Sequence, residues 1–188
     1  MAAFHGSKSD TPMNDLPAHG SADAANKGRL FLLFRIGDQR FALDTHEVVE
    51  VLPRLPLKPI AQAPHWVAGV LAHRGALVPV IDVGALSFGQ PAPVRTSTRL
   101  VLVHYRVDPE RPDLLLGLIL EQASNTLRCD PDEFRPYGLD NSQAPYLGPV
   151  REDAQGLLQW IGVQALLSDE VRQLLFPYVA DAGQEQQA

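Results

Sequence analysis

Residue types that often carry chemistry are present in this 188-residue chain, but their spacing matches no catalytic or metal-binding pattern. His46, His65, His73 and His104 have no metal-type spacing to one another or to Cys129, the single cysteine. The chain has no glycine-rich phosphate loop and no nucleophile elbow, and nothing marks out a catalytic pair of carboxylates. We therefore expect the histidines to be structural, at the surface or partly buried, and Cys129 to be a small buried hydrophobe. No metal or cofactor is indicated.

Two charged residues, Glu50 and Arg74, are more informative because each lies within an apolar or β-branched stretch. The run 66–82 is apolar on both sides of a four-residue break at 73–76. Gly75 can adopt a turn conformation closed to most residues, which predicts a hairpin with Arg74 as a fixed cation at its tip. On composition alone, Arg74 could equally be a solvated turn residue, and Glu50 an acid that points to solvent from a strand.

The elements that would position these charges can be predicted from patterning. Both halves of 66–82 lack charge for several residues, as expected of strands buried on at least one face. Pro79 cannot donate to a ladder, so its strand should lie at a sheet edge or be bulged there. Residues 45–52 mix acids with β-branched side chains, which predicts a helical turn that passes into a strand. Three prolines follow and predict an extended linker, at positions 53, 56 and 59.

The rest of the chain alternates short apolar runs with polar turns, and a short helix or turn is expected at 84–88. This pattern favours barrels or a sandwich over a parallel sheet. Further strands are predicted at 30–36, 40–43, 99–105, 114–120, 124–128, 145–150 and 156–161.

A helix is predicted near the end of the chain. Ser168 can cap its N-terminus, and the two acids after Ser168 suit the positive end of the helix dipole. Val171, Leu174 and Leu175 are expected to share one face, and Pro177 to stop the helix.

Composition indicates what class of protein this is and argues against some classes of partner. Hydrophobic residues make up 45% of the chain and charged residues 20%, which is typical of a globular protein with one domain or two subdomains that share a core. The net charge of −6, without a basic cluster, argues against nucleic acid and anionic membrane as partners. Neither a signal peptide nor an apolar run of about 20 residues is found, so a cytoplasmic protein without direct membrane insertion is expected. Residues 29–177 should fold, between disordered tails at 1–28 and 178–188.

Several segments resemble the CheW-like chemotaxis coupling proteins. Residues 37–44 and 47–51 are similar to the opening of that family. The segment 64–70, the pair Arg74-Gly75 and the segment 78–82 resemble its most diagnostic motif, in register and correctly spaced. Looser similarity to its later elements extends over 99–103, 117–120, 146–150 and 160–167.

The resemblance implies a mostly β fold of two SH3-like five-stranded β-barrels with a shared hydrophobic core, short helices and a C-terminal helix. It implies no enzymatic activity. Members of the family are adaptors that join the cytoplasmic helical hairpin of a chemoreceptor to a CheA-like histidine kinase, whose regulatory domain has the same fold. The protein would then be cytoplasmic and recruited to membrane-bound receptor arrays.

The resemblance also assigns interaction residues. Arg74, followed by Gly75, matches a functionally important arginine of the family, and Glu50 matches the acid that pairs with it. Val48 and Val51 fall in the apolar groove between the barrels, where the receptor is contacted, whereas kinase contacts lie at the barrel ends. Val48 and Val51 would share a face in a helical turn and oppose each other in a regular strand.

Departures from the family pattern occur at Ala72-His73, Val83-Gly84, Gly162 and the segment 134–140. They suggest a paralogue in a non-flagellar chemosensory array, such as a surface-sensing Wsp-type system that controls a diguanylate cyclase.

One alternative is a regulatory domain detached from a histidine kinase, although the sequence shows no kinase or phosphotransfer segment. Another alternative is a small-ligand-binding β-barrel or an enzyme built on one, which would need convergent polar residues in a pocket. No such set is evident in the sequence.

Overall fold

A computed structural model describes residues 28–138 and 141–177, so the two predicted tails lie outside the described residues, except for Gly28. The described residues form nine strands, two short α-helices and two 3-10 turns, the latter at Pro131–Glu133 and Val163–Ala165. In chain order the main elements are β1 (Arg29–Ile36), β2 (Gln39–Asp44), β3 (Val48–Pro53), β4 (Val67–His73), β5 (Ala76–Asp82), α1 (Val83–Phe88), β6 (Arg99–His104), β7 (Leu115–Cys129), β8 (Leu147–Asp153), β9 (Gly156–Ile161) and α2 (Asp169–Leu175).

The strands form two barrels that have β7 in common. In the described residues, the first barrel contains β4, β5, β7, β6 and β3 in that spatial order, and the second contains β7, β1, β2, β9 and β8. The pairs β5–β7 and β2–β9 are parallel, and the other pairs are antiparallel. This topology confirms the predicted mostly β fold of two five-stranded barrels.

β7 corrects one prediction, because the expected strands at 114–120 and 124–128 are a single strand of 15 residues. The polar pair Glu121-Gln122 looks like a break in the sequence, but in the structure it is a bend. Gln122 has φ 50°, and the register with β1 shifts there. The N-terminal half of the strand pairs with β5 and β6 and its C-terminal half with β1, so both halves stay in a ladder.

Three apolar clusters fill the protein, one inside each barrel and one between them. We name the cluster between the barrels the inter-barrel core. Strand β6 contributes to two of the clusters, because Leu100 and Leu102 face the interior of the first barrel while Val101 and Val103 face the inter-barrel core. Both faces of such strands are buried, which explains the uncharged runs in the sequence. The inter-barrel core takes residues from both barrels, so the prediction of a shared core is confirmed.

The hairpin β4–β5 is present where it was predicted. Pro79 pairs with Val70 of β4, and the pairing of β5 with β7 begins only at Val80. At Pro79 the strand is therefore a local sheet edge, as expected of a residue without an N–H. The hairpin leads into α1, whose N-cap is Asp82.

The terminal helix α2 confirms the predicted cap and corrects the predicted face. The Ser168 side chain accepts a hydrogen bond from the Val171 N–H, and the helix ends before Pro177. Val171 packs against the inter-barrel core and Leu175 is buried, whereas Leu174 is exposed. Val171 and Leu175 are four residues apart and therefore lie on the same face of the helix, which packs against the core. Leu174 lies at the side of that face and is exposed to solvent.

Candidate protein-interaction site

The tip of the β4–β5 hairpin is a two-residue turn. His73 pairs with Ala76, so the four-residue break predicted from the sequence is shortened to Arg74 and Gly75. Both residues have positive φ, 48° for Arg74 and 84° for Gly75. Positive φ at both central residues is what the tightest hairpin turn requires, because its twist matches that of the strands. The turn therefore presents the Arg74 side chain from a short and rigid support.

The structure brings Arg74 and Glu50 together, as predicted. The Arg74 Nη2 atom donates a hydrogen bond of 2.9 Å to the Glu50 Oε2 atom. The side chains are 75% and 30% exposed, respectively. An ion pair this open contributes about 0–1 kcal/mol to stability. Its geometry is therefore better suited to presenting a positioned cation to a partner than to holding the fold together.

His73 is a third member of this cluster, although the sequence indicates only a structural histidine at a departure from the family pattern. Its Nε2 atom lies 3.4 Å from the same Glu50 Oε2 atom, and its side chain is only 14% exposed. Alternation along β4 could have revealed the position, because His73 lies on the same strand face as Leu71, a residue of the first-barrel core. We name Glu50, His73, Arg74 and Gly75 the hairpin-tip cluster.

A bulge in β3 determines whether Val48 and Val51 lie on the same face of the sheet. Val48 pairs with Val103 and Val51 pairs with Val101, while Val49 is left over at a register shift. Directly paired residues share a sheet face. Val48 and Val51 thus lie on the same face, although β3 is neither a helical turn nor a regular strand.

The face that carries Val48 and Val51 belongs to the junction of the barrels. Val101 and Val103 are both residues of the inter-barrel core, and Val48 packs against that core. Val51, by contrast, is 45% exposed. This face of β3 therefore carries one valine packed on the shared core and one exposed to solvent, and we name Val48 and Val51 the β3 junction face. Glu50 pairs with Leu102 and lies on the opposite face of the strand.

A network of polar contacts joins the residue before β3 and the end of β6 to the segment that follows β9. The Gln164 Nε2 atom donates to Glu47 Oε2 at 3.2 Å and to the His104 carbonyl oxygen at 3.1 Å. The Gln164 Oε1 atom accepts from the Arg106 N–H at 2.7 Å. Because Gln164 is in the 3-10 turn after the second barrel, these bonds hold the two barrels in register next to the β3 junction face.

The remaining chemistry-bearing residues have structural surroundings. Cys129 is a free, buried cysteine of the second-barrel core, and burial raises the pKa of its thiol, so the prediction of a buried hydrophobe is confirmed. The His46 Nδ1 atom lies 2.9 Å from Asp44 at the surface. Within 28–138 and 141–177, no group of three or more His, Cys, Asp or Glu side chains could hold a metal ion. In the same residues, no helix is long and apolar enough to cross a membrane.

These features can now be compared with known proteins. The family described as "CheW-like domain" matches residues 30–171, which includes β2 to β9, all of β1 except Arg29, and both residues of the hairpin tip. The chain belongs to the CheW-like family. Within it, the chemotaxis protein CheW of Rhizobium meliloti (strain 1021) is 30% identical over 111 residues, or 59% of this chain and 68% of that protein.

Two further similarities complete the comparison. Protein FrzA of Myxococcus xanthus is 36% identical over 67 residues, which are 36% of this chain and 42% of that protein. The crystal structure of the scaffolding protein TtCheW from Thermoanaerobacter tengcongensis superposes with a TM-score of 0.66, over 85% of this chain and 96% of that chain. The sequence identity to that structure is 16%, so this likeness establishes the CheW fold alone.

Proposed function

We propose that this CheW-family protein is a non-catalytic adaptor that couples a chemoreceptor to a CheA-like histidine kinase. The main observation that supports this proposal is the hairpin-tip cluster, in which Arg74 lies in a two-residue turn and contacts Glu50. A second, chemically different surface is the β3 junction face. Two such surfaces on one rigid body are what an adaptor needs to bind two partners at once.

The β3 junction face suits the cytoplasmic helical hairpin of a chemoreceptor. An amphipathic helix binds by laying its apolar face into a groove, and Val51 offers exposed apolar surface at the edge of the inter-barrel core. Burial of a valine side chain stabilises a complex by about 1.5–3 kcal/mol, which corresponds to a change in affinity of about tenfold or more. A carboxylate at the same position would be desolvated without a partner.

The receptor assignment is tested with Val51→Glu in the full chain. Binding is measured separately to a receptor cytoplasmic fragment and to the kinase regulatory domain. The matched control is Val94→Glu, because Val94 is a valine that is 82% exposed in the loop before β6 and is not a residue of the β3 junction face. We expect Val51→Glu to weaken receptor binding about tenfold or more with kinase binding unchanged, and Val94→Glu to change neither. Equal loss of both partners, or of neither, would place the receptor elsewhere.

Val48 needs a milder substitution, because its side chain packs against the inter-barrel core. A charge at this position would test folding as well as binding, so Val48→Ala is the suitable variant. We expect it to weaken receptor binding less than Val51→Glu does. The comparison is valid only at a protein concentration and temperature where circular dichroism shows the variant to be folded.

The hairpin-tip cluster suits the kinase regulatory domain. A hairpin turn lies at the end of its barrel, and the regulatory domain of a CheA-like kinase is expected to contact a barrel end. Arg74 supplies a guanidinium that can form two parallel hydrogen bonds to a carboxylate of the partner. Glu50 holds that guanidinium in place before binding, which reduces the entropy lost on association.

The pathway served by this adaptor is proposed to be a non-flagellar chemosensory system, of the surface-sensing Wsp type with a cyclic-di-GMP output. The support is His73, one of the departures from the family pattern, which contacts Glu50 within the hairpin-tip cluster. The adaptor would be cytoplasmic and recruited to receptor arrays. Deletion in its host should lower cyclic-di-GMP on surfaces and leave swimming chemotaxis unchanged. Loss of swimming chemotaxis instead would assign the protein to the flagellar system.

A further inference from the structure

A cavity of about 460 Å³ lies away from both proposed interaction surfaces, between the second barrel and the loop that precedes β6. Strands β1, β2, β7 and β9 contribute to its wall, together with the β8–β9 turn. No convergent polar set is evident in the sequence, because these side chains come from segments far apart in the chain. The fold assembles them at one place.

The wall of this cavity is cationic. Arg35 and Arg40 line it and are directly opposite each other in the β1–β2 hairpin, an arrangement that is unfavourable for like charges unless they are compensated. Arg40 is compensated, since its Nη1 and Nη2 atoms donate to the two carboxylate oxygens of Asp153 at 2.7 and 3.0 Å. Arg35 is not, since its Nη2 atom donates to the neutral carbonyl oxygen of Asp38 at 2.8 Å.

Arg95 adds a further cation from the loop before β6. Among the described residues, neither Arg35 nor Arg95 has a carboxylate within ion-pairing distance, and no acidic side chain lines the cavity. Two acids lie just outside the lining, namely Asp153, which pairs with Arg40, and Glu121 of β7, which is opposite Arg35 in the β1–β7 ladder. Burial is the main cause that raises the pKa of Glu121, with a further contribution from Asp82, while Arg95 lowers it. An anion in the cavity would therefore meet two guanidinium groups that form no direct ion pair among the described residues, with Glu121 as a negative charge outside the lining.

Neutral donors complete the wall. The bend of β7 places Gln122, Ser124 and Asn125 along the cavity, and Ser97 faces them from the loop before β6. Gln122 adopts φ 50°, a conformation uncommon for a residue other than glycine, at the point where the register with β1 shifts. Bulges and strained residues of this kind cluster at binding sites, where they aim side chains at a ligand. Leu33 and Leu158 provide an apolar floor.

We propose that this cavity binds a phosphate dianion, either free phosphate or the head of a phosphomonoester. Two guanidinium groups match the charge of a dianion and can each form paired hydrogen bonds to its oxygens. The serine hydroxyls and the two amide side chains supply donors for the remaining oxygens. The site is a local cationic region on a chain with a net charge of −6, so it is not a general attraction for anions. This binding is independent of the adaptor function.

The test uses the full chain at pH 8, where phosphate is mainly dianionic, with inorganic phosphate and phenyl phosphate as probes. Backbone amide shifts are followed by NMR at constant ionic strength, with potassium chloride as the reference salt. We expect saturable shifts at Arg35, Gln122 and Ser124. Tighter binding of phenyl phosphate would identify an organic monoester as the ligand, and equal or weaker binding would identify free phosphate. Shifts that potassium chloride reproduces would overturn the proposal.

Two variants and one matched control make the test specific. Arg35→Gln and Arg95→Gln should each weaken phosphate binding about tenfold, because each removes one charged donor from the cavity. Arg128→Gln is the control, since Arg128 is an exposed arginine of the same strand as Gln122 but lies outside the cavity and donates to the Gly28 carbonyl oxygen. Equal binding by all three variants, each shown by circular dichroism to be folded, would also overturn the proposal.

Discussion

The two ends of the β4–β5 hairpin belong to one contiguous sequence motif but have opposite surroundings. At the base, Asp82 is 4% exposed, and its oxygens accept hydrogen bonds from the N–H groups of Ala85 at 3.0 Å and Ala92 at 2.8 Å. At the tip, Arg74 is open to solvent and makes an ion pair that adds little stability. Residues of one recognisable motif can therefore hold the fold together at one end and add little to its stability at the other, and burial distinguishes the two ends. The proposed role of the exposed end is to bind a partner.

The largest effect should come from the base of the hairpin. Asp82→Ala leaves two buried N–H groups without an acceptor, and each orphaned donor costs about 1–3 kcal/mol. We expect a loss of about 4 kcal/mol in the free energy of unfolding, measured by urea denaturation. Asp113→Ala, at an exposed loop position, is the control and should change stability by less than about 0.5 kcal/mol. Similar stability of the two variants would contradict the structural role of Asp82.

A smaller loss is expected in the middle of the hairpin. A Cβ atom on Gly69 would lie 2.5 Å from the Lys58 carbonyl oxygen, and the φ of Gly69 is +140°. Gly69→Ala must therefore displace the proline-rich linker as well as strain β4, at a cost of about 3 kcal/mol. Thermal unfolding measures this cost. A change below about 1 kcal/mol would show that the linker can move away without penalty.

The tip should tolerate the same substitution better. A Cβ atom on Gly75 meets nothing within 4 Å, so only the backbone conformation at φ +84° resists it. Gly75→Ala should cost about 1–2 kcal/mol in unfolding free energy, less than Gly69→Ala. If the order of the two glycine variants were reversed, the tip would be more constrained than its exposure indicates.

The smallest effect on stability, with the largest effect on binding, is expected for the ion pair itself. Alanine is restricted at φ 48° much as arginine is, so Arg74→Ala isolates the loss of the charged side chain. We expect Arg74→Ala and Glu50→Ala to change unfolding free energy by about 0–1 kcal/mol each. Both should weaken binding to the kinase regulatory domain, Arg74→Ala by about tenfold or more.

A double-variant cycle and a matched control sharpen this prediction. If Glu50 acts by positioning Arg74, removal of both side chains should cost little more than Arg74→Ala alone. Arg128→Ala removes an exposed arginine elsewhere on the surface and should leave kinase binding unchanged. Binding like that of the wild type in both single variants would remove the hairpin tip from the kinase interface.

The sequence predicts much of this fold because strands with two buried faces leave a strong signal. The uncharged runs on either side of Arg74 and around Val101 correspond to β4, β5 and β6, and the Gly75 turn is where the pattern indicates. The terminal helix is signalled by Ser168 and Pro177, which act through local capping and breaking effects. Sequence patterns therefore predict the structure correctly wherever the conformation of a residue is determined by its neighbours in the chain.

The sequence does not predict the conformation where pairing with residues distant in the chain determines it. Glu121 and Gln122 read as a loop, yet β7 continues through them because both its halves have partners from distant parts of the chain. The bulge at Val49 has no residue signature, since a β-branched residue there looks like any other strand position. The position of Leu174 also depends on how α2 docks, and the proposed phosphate cavity depends on the convergence of four strands.

The long strand β7 has a consequence for cooperativity. Its N-terminal half belongs to the first barrel and its C-terminal half to the second, and the barrels also share an apolar core, so melting of either barrel exposes apolar surface of the other. The two barrels should therefore unfold in a single transition rather than as separate domains. The β3 junction face lies at the edge of the core that the two barrels share, so its shape is set by the same packing that stabilises the whole molecule. If a partner binds at this face as proposed, the surface is preformed and little free energy is lost in ordering it.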